Sequence, residues 1–251
     1  MKRNVGEQTP FLRTKGRTVG FGSVMTVGLA LLMVLAPAAS AHPALTLTAP
    51  YGGTADQSIS AGFTGCGGNA SWSTSPSFNL VNGHAVTNTK ATQVSCGSVS
   101  ATTEAVSFVG LSSSTFSVAS GHHSVKEKWS VTFFVDLVAT PGPYPQFAYA
   151  ESEVYIYTYV YDQTSSSYLS SSFHSSQGNS VSSGSLMKTF TSLRMEAFVN
   201  GTFTAGHTYY VVTELISLVD TSVSTGGSSA SGSINMSTSG KHAVLSSITV
   251  S

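Results

Sequence analysis

In HSVKEKWSVTFFVDL, residues 123–137, apolar and polar side chains alternate, and this pattern is the strongest indication of the fold class. A period of two residues is typical of a β-strand that is buried on one face. The apolar face consists of Val125, Trp129, Val131, Phe133, Val135 and Leu137. His123 falls on the same face as Val125 and Glu127, just ahead of the apolar run. We expect this part to be a solvent-exposed end of the strand, and one half of a binding site is the alternative.

Four further stretches indicate strands, and none after residue 41 has the period of an amphipathic helix. They are SEVYIYTYVYD (152–162), LRMEAFV (193–199), HTYYVVTELISLV (207–219) and HAVLSSITV (242–250). The third is apolar on both faces, which is typical of a central strand.

Segments rich in glycine and serine separate these strands and predict turns. They are YGGTADQ (51–57), GCGGNA (65–70), ATPGPYPQ (139–146), SSQGNSVSSGS (175–185) and STGGSSASGS (224–233). Many strands without helices predict an all-β fold, here a jelly-roll-like β-sandwich over residues 42–251. A subdivision near residues 139–147 is the alternative.

The first 41 residues have the features of a secretory signal. Five of the eleven Lys and Arg residues lie within the first seventeen positions, and residues 19–41 carry no charge. The segment ends in Ala39, Ser40 and Ala41, a small-x-small cleavage pattern. We therefore expect a signal helix within residues 1–41 and cleavage after Ala41. An uncleaved membrane anchor is the alternative, since about 20 apolar residues span a bilayer.

The composition of residues 42–251 is that of a secreted or cell-surface protein. Six basic residues stand against ten acidic ones without forming a basic run, which excludes nucleic acid as a partner. Charged residues make up 9% of the chain, against roughly 25% in ordinary soluble proteins. Ser and Thr account for 68 of residues 42–251, so hydroxyl groups are expected to cover the surface. A cell-surface glycan or an envelope protein would suit such a surface as partner.

Two cysteines, Cys66 and Cys96, follow the signal. An exported chain with an even number of cysteines favours a disulfide between them, and two buried thiols are the alternative. Asn69, Asn200 and Asn235 stand in Asn-x-Ser/Thr sequons and are candidate N-glycosylation sites. In a chain so rich in Ser and Thr, about two or three sequons are expected by chance.

The strand at 152–162 offers a candidate ligand surface. Its outward positions, with the residues just ahead of it, are Glu151, Glu153, Tyr155, Tyr157, Tyr159 and Tyr161. Alternating tyrosines can form a platform for sugar rings, since each ring has an apolar body and a polar tip. We favour the alternative that these rings cover a neighbouring sheet or loop, or pair across strands.

Support for catalysis is weaker. Glu151 and Glu153 would lie about 7 Å apart on one strand, a spacing that a glycosidase can use. Catalytic pairs usually come from different strands across a cleft, however. No Gly-x-Ser-x-Gly elbow or strand-to-helix phosphate loop follows residue 41, so we expect a non-enzymatic protein.

Histidines are the remaining candidates for chemistry, and all seven follow residue 41. Once freed by cleavage, His42 would chelate a metal through its amino and imidazole nitrogens, which favour Cu(II). Pro43 lacks the amide N–H that would complete such a chelate, so a tight site needs a second histidine. The candidates are His122, His123 and His207. We expect weak copper binding and no other cofactor.

HPALTLTAPYGG, residues 42–53, resembles the mature start of the periplasmic copper-binding CopC family. The matching positions are His42, Leu45, Pro50 and Gly53. In that family the N-terminal histidine binds copper, and the resemblance implies this role for His42. It covers twelve residues, and the later Asp-Gly-His strand of the family is absent. Lytic polysaccharide monooxygenases also begin with histidine, but the motifs that follow it there are absent here, and the chain is assigned to neither family.

The sequence thus predicts a secreted or cell-surface β-sandwich with a non-enzymatic binding or structural role. Copper binding through His42 is the alternative function. Glycan binding or processing ranks third.

Overall fold

The computed structural model describes residues 44–47, 49, 51–62, 70–94, 100–224, 226–237 and 240–251. The chain divides into two units, Met1–Ala41 and His42–Ser251, and the described residues belong to the second. The predicted signal helix, His42, Cys66, Cys96 and Asn69 lie outside the described residues. None of the described ranges contains a helix that is long and apolar enough to cross a membrane.

The described residues form twelve β-strands, and the predicted all-β class is confirmed for them. The strands are β1 (Leu45–Leu47), β2 (Gly52–Gly62), β3 (Ala70–Asn79), β4 (His84–Val94), β5 (Ala101–Ser112), β6 (Gly121–Thr140), β7 (Ala148–Asp162), β8 (Ser167–Val181), β9 (Gly184–Phe203), β10 (Tyr209–Val223), β11 (Ser229–Asn235) and β12 (Ala243–Val250).

These strands make two antiparallel sheets, as in a β-sandwich. The seven-stranded sheet has the order β1-β12-β4-β11-β6-β9, with β3 paired to β4. In this sheet β11 and β12 lie end to end along β6. The five-stranded sheet has the order β2-β5-β10-β7-β8, and β10 is central in it, as its apolar sequence predicts. Links such as β5–β6, β6–β7 and β9–β10 carry the chain from one sheet to the other.

The core lies between the two sheets, and β6 runs through it for its whole length. Buried and half-buried residues alternate along β6 from Val125 to Ala139, which confirms the period-two prediction. The largest side chains that β6 buries are Trp129, Phe133 and Leu137. Full burial stabilises by about 1.5–3 kcal/mol for a side chain such as Leu or Phe.

Hydroxyl groups also enter the core and join the two sheets. Thr89 on β4 donates to the backbone oxygen of Ser217 on β10, at 3.2 Å. The indole Nε1 of Trp129 donates to Thr213 Oγ1 at 3.2 Å. These donors are satisfied and therefore carry little desolvation cost. Part of the Ser and Thr content thus lies inside the sandwich and is not exposed on its surface.

Three predicted turns are strand instead. Residues 52–57 of the first turn segment belong to β2 (Gly52–Gly62), which pairs with β5 along its length. The segment 175–185 is mostly β8 and β9, and only residues 182–183 separate these strands. The segment 224–233 contains the start of β11. Backbone hydrogen bonds to neighbouring strands outweigh the low strand propensity of Gly and Ser in these segments. The segment 139–146 is a loop from Pro141 onward and links β6 to β7.

Candidate functional site

The outer face of the five-stranded sheet carries a ladder of aromatic side chains, which we call the tyrosine face. On β7 the even-numbered residues, such as Val154 and Ile156, are buried in the core, so the odd-numbered ones point outward. Three neighbouring strands contribute to the ladder. Its members are Tyr155, Tyr157, Tyr159 and Tyr161 of β7, Tyr168 and Phe173 of β8, and Tyr210 of β10.

The strand register brings these rings together. Tyr161 lies directly between Tyr210 of β10 and Tyr168 of β8. Tyr157 lies in the same way between Glu214 and Phe173. Residues that face each other across antiparallel strands are close enough for their side chains to interact. Tyr168, Phe173 and Tyr210 were not among the predicted site residues, because only the pairing of β8 and β10 with β7 places them there.

Ring contacts along the face stabilise the sheet. The rings of Tyr159 and Tyr161 each meet the edge of Tyr168, with centroids 5.1 and 5.3 Å apart. Tyr155 packs on Phe173 at 4.9 Å. Tilted and edge-to-face pairs of this kind are favourable beyond the area that they bury. Tyr168 is nevertheless 70% exposed and Phe173 56% exposed, so the β8 side of the ladder meets solvent.

The hydroxyl groups of Tyr155 and Tyr159 remain protonated over the physiological pH range, because the pKa of each is raised. Burial, and then the charges of Glu153, Glu104 and Glu214, raise the pKa of Tyr155 to about 12. Burial and the Glu214 carboxylate also raise the pKa of Tyr159. The pKa of Glu214 is itself raised by burial. Tyr155 and Tyr159 therefore carry neutral hydroxyl groups that can donate hydrogen bonds.

Carboxylates occupy the other end of the same face. Glu104, Asp220 and Glu151 lie opposite one another on β5, β10 and β7. The hydroxyl of Tyr149 donates to Glu151 Oε2 at 2.9 Å. The five strands of this sheet contain seven acidic residues and no Lys or Arg. The acidic residues are Asp56, Glu104, Glu151, Glu153, Asp162, Glu214 and Asp220.

The outer face of the seven-stranded sheet has the opposite character. Lys126 Nζ lies 2.7 Å from Glu196 Oε2 and 4.7 Å from the ring of Phe198. Arg194 Nε lies 3.1 Å from Glu196 Oε1, and Lys128 faces Glu196 in the strand register. We call Lys126, Lys128, Arg194 and Phe198 the lysine face. All six basic residues that follow residue 41 belong to this sheet or to the loop before β12, namely Lys90, Lys126, Lys128, Lys188, Arg194 and Lys241.

Glu127 corrects one expectation, since this residue is completely buried rather than solvent-exposed. Strands of the second sheet cover this part of β6, and Thr158 of β7 donates to Glu127 Oε2 at 2.7 Å. Burial raises the pKa of Glu127 to about 7, although hydrogen bonds from Thr158, Thr213 and Trp129 lower it. This burial could not be predicted from the sequence, because a single carboxylate at the start of an apolar run resembles a strand end.

The predicted histidine ligands are held by different partners. His207 Nδ1 lies 2.7 Å from Asp162 Oδ2. Burial raises the pKa of Asp162, but hydrogen bonds, first that of His207, bring it down to about 2. His123 Nε2 lies 3.0 Å from the backbone oxygen of Ala119. His122 Nδ1 lies 3.1 Å from Thr202 Oγ1.

Aromatic rings separate two of these histidines. The ring of His123 meets the edge of Phe203 at 5.3 Å, and Phe203 meets Tyr209 at 4.7 Å. Tyr209 in turn stacks near His207 at 6.2 Å. Within the part of the chain that the structure describes, no group of three His, Cys, Asp or Glu side chains could hold a metal ion.

The two sequons within the described ranges lie on the seven-stranded sheet. Asn200 is exposed on β9. Asn235 ends β11, and its Oδ1 accepts a hydrogen bond from the amide of Ser237 at 3.0 Å. Modification at either position stays a prediction.

The fold and the site together define an all-β protein of two sheets with an aromatic and acidic outer face. No family model, curated protein or solved structure matches the chain. The function is therefore inferred from the geometry and chemistry of the faces.

Proposed function

We propose that this chain is a non-enzymatic binding protein outside the cytoplasm and that the tyrosine face is its binding surface. The observation that carries the proposal is the exposure of Tyr168 and Phe173 on an otherwise packed ladder of rings. Large exposed apolar patches on soluble proteins commonly mark binding sites. The signal-like residues 1–41 and the Ser- and Thr-rich composition support the location.

The chemistry of the face suits a large polar ligand. Aromatic rings supply apolar area at a low cost in conformational entropy, and tyrosine adds a hydroxyl donor. Because β7 lies between β8 and β10, most of these side chains are fixed by neighbours before a ligand arrives. A preorganised surface loses less entropy on binding. A glycan and a protein surface are the two ligand classes that fit.

The location of Glu151 and Glu153 supports a binding role rather than catalysis. Both side chains are half-buried and stand on one face of β7 beside Asp220 of β10. In glycosidases, the two carboxyl groups flank the bond that is cleaved. Neighbours on one sheet face are instead suited to contact a ligand that lies flat on the sheet.

The jelly-roll arrangement and the signal helix are part of the same proposal. The order β4-β11-β6-β9 in one sheet and β5-β10-β7-β8 in the other supports a jelly roll. Within these eight strands, β4 to β11, consecutive strands alternate between the sheets except at the β7–β8 hairpin. The jelly roll is a type of β-sandwich, and the outer faces of its two sheets are broad enough to contact ligands.

The proposal predicts that Tyr159→Ala combined with Tyr168→Ala weakens binding by about tenfold or more, because buried aromatic anchors dominate binding energies. The protein, purified from cells that express the full chain, is tested on a glycan array and for concentration-dependent association by light scattering. Tyr144→Ala is the matched control, since Tyr144 is 98% exposed in the loop between β6 and β7. Thermal melting shows whether each variant folds.

A variant that folds and loses binding in either assay supports the proposal. Wild-type protein that binds no glycan and stays monomeric would contradict it. Binding that is unchanged in the double variant would assign the activity to another surface.

Copper binding is a second candidate, and one observation favours it. Leu45 of β1 pairs with Val250 of β12, which pairs with Val125 of β6. The start of β1 therefore lies at the same end of the sheet as His122 and His123. Three residues of chain, at most about 10 Å, separate His42 from Leu45.

If copper binding is the function, protein cleaved after Ala41 is expected to bind one Cu(II) per chain with submicromolar affinity. Calorimetric titration and the electron paramagnetic resonance spectrum measure the stoichiometry and the nitrogen ligands. The site should disappear when one residue is added ahead of His42 and should weaken in His122→Ala or His123→Ala. Weak binding at several sites would reject this candidate and would agree with the expectation from Pro43.

A further inference from the structure

We propose that the partner of the tyrosine face is the lysine face of a second copy of this chain. The inference rests on the proposed function, because it names the ligand of the same surface. Its basis is that every Lys and Arg after residue 41 lies on the seven-stranded sheet or in the loop before β12, whereas the strands of the five-stranded sheet carry acidic residues without Lys or Arg.

The strands that form the tyrosine face carry acidic residues and, within these described strands, no Lys or Arg. Glu104, Asp220 and Glu151 form a row across three strands, and the five-stranded sheet contains no Lys or Arg. A row of three acidic residues favours a basic surface over a neutral glycan as the partner, because charge complementarity steers association.

The lysine face supplies such cations together with an aromatic ring. Arg194 has a side chain that is 70% exposed, although it contacts Glu196. Phe198 is 50% exposed, and the ammonium group of Lys126 lies over it. Arg and Lys also bind well to the faces of tyrosine rings. Each element of the lysine face thus has a counterpart on the tyrosine face, either a carboxylate or a ring.

The size of the faces is adequate for a specific contact. Five strands about 4.8 Å apart and about eleven residues long, at about 3.3 Å per residue, cover roughly 800 Å². That is about the area that each partner contributes to a standard protein interface. Charge complementarity across such an area steers association and rejects the wrong partners.

The geometry also determines the kind of assembly. The two faces lie on opposite sides of the sandwich, so a contact between them is heterologous and leaves one free face on each copy. Heterologous contacts produce open filaments unless the rotation between copies closes a ring. Copies are therefore expected to stack sheet upon sheet in a row.

Two charge-reversed variants test the inference. Glu151→Lys with Glu153→Lys makes the acidic part of the tyrosine face basic, and Lys128→Glu with Arg194→Glu makes the lysine face acidic. Each double variant, purified from cells expressing the full chain, should weaken self-association about tenfold or more, because like charges then meet across the contact. Equimolar mixing should restore association, since each variant keeps the face that the other needs.

Sedimentation velocity at low and high salt is the measurement, with thermal melting as the folding test. Wild-type association should fall as salt rises, because the Debye length shortens from about 10 Å at 0.1 M to about 3 Å at 1 M. Lys188→Glu is the control, since Lys188 faces Val135 in the register and lies off the lysine face.

Two results would overturn the inference. A wild-type monomer at every concentration is one of them, and if glycan binding is found at the same time the proposed function survives. Association that depends on Glu151 and Glu153 but not on Lys128 and Arg194 is the other, because it would show two tyrosine faces pairing with each other.

Discussion

Glu127→Gln is expected to stabilise the protein at about pH 8 by up to about 3 kcal/mol. The carboxyl group is completely buried, and its pKa is raised to about 7 from the ordinary value of 4.5. One pKa unit corresponds to about 1.4 kcal/mol of preference between the two protonation states. Above pH 7 the wild type must bury a carboxylate, whereas the glutamine variant buries a neutral group of the same shape.

The direction of the pH dependence follows from the raised pKa. A group with a higher pKa in the folded state favours folding when it is protonated. Its contribution is therefore complete below about pH 4.5, declines as the pH rises and is lost above about pH 7. Tyr51 is the other titrating group beside it, and its pKa is raised to about 12 by burial and then by the charge of Glu127. Tyr51 does not titrate in this window.

Urea denaturation at about pH 4 and about pH 8 measures the effect. The variant should unfold at higher urea than the wild type at the higher pH, and the difference should nearly vanish at the lower pH. Asp136→Asn is the control, because it removes one carboxylate from the outer face of the same strand. Equal effects of Glu127→Gln at both pH values would show that the carboxyl group is neutral, or solvated, throughout.

Much of the fold could be predicted because the decisive strands alternate strictly. The patterns at 123–137 and 152–162 lie within β6 and β7. The stretch 207–219, which is apolar on both faces, enters β10 at Tyr209, and β10 is the central strand of its sheet. The Gly- and Ser-rich strands were not predicted, because adjacent strands rather than their own sequence determine their pairing. Gly232 of β11 shows the reason, since a Cβ there would lie 2.6 Å from Val219 Cγ1. Only glycine fits at this approach of the two sheets, so a residue that resembles a turn signal is required inside a strand.

The candidate site could be predicted only in part, because alternation fixes a face but not its neighbours. The outward tyrosines of β7 follow from period two alone. That Tyr168 and Tyr210 join them depends on the order β10-β7-β8, which no local pattern encodes. The separation of charge has the same origin. Lys128 and Glu151 have no local relation in the sequence, and they reach opposite faces only because β6 and β7 enter different sheets.

Trp129→Ala is expected to lower the free energy of unfolding by about 3–5 kcal/mol, the usual cost of removing a large buried aromatic side chain. Trp129 is 1% exposed and donates to Thr213 across the two sheets. Trp72→Ala is the matched control, since Trp72 is 39% exposed on β3 and should cost much less. Trp129→Phe should recover most of the loss, because it refills the space without the N–H.

The Trp129→Ala variant also tests whether burial by the indole contributes to the raised pKa of Glu127. Trp129 and Glu127 lie two residues apart on the buried face of β6, and the hydrogen bonds of Trp129 and Thr213 act on the Glu127 carboxyl group. A cavity in place of the indole, bordered by these polar groups, is one that water can enter. Water would lower the pKa of Glu127 towards its ordinary value, so the loss of stability between about pH 4.5 and pH 7 should flatten in Trp129→Ala and persist in Trp72→Ala. A pH slope that survives unchanged in Trp129→Ala would mean that burial by the second sheet, rather than by the indole, keeps the carboxyl group protonated.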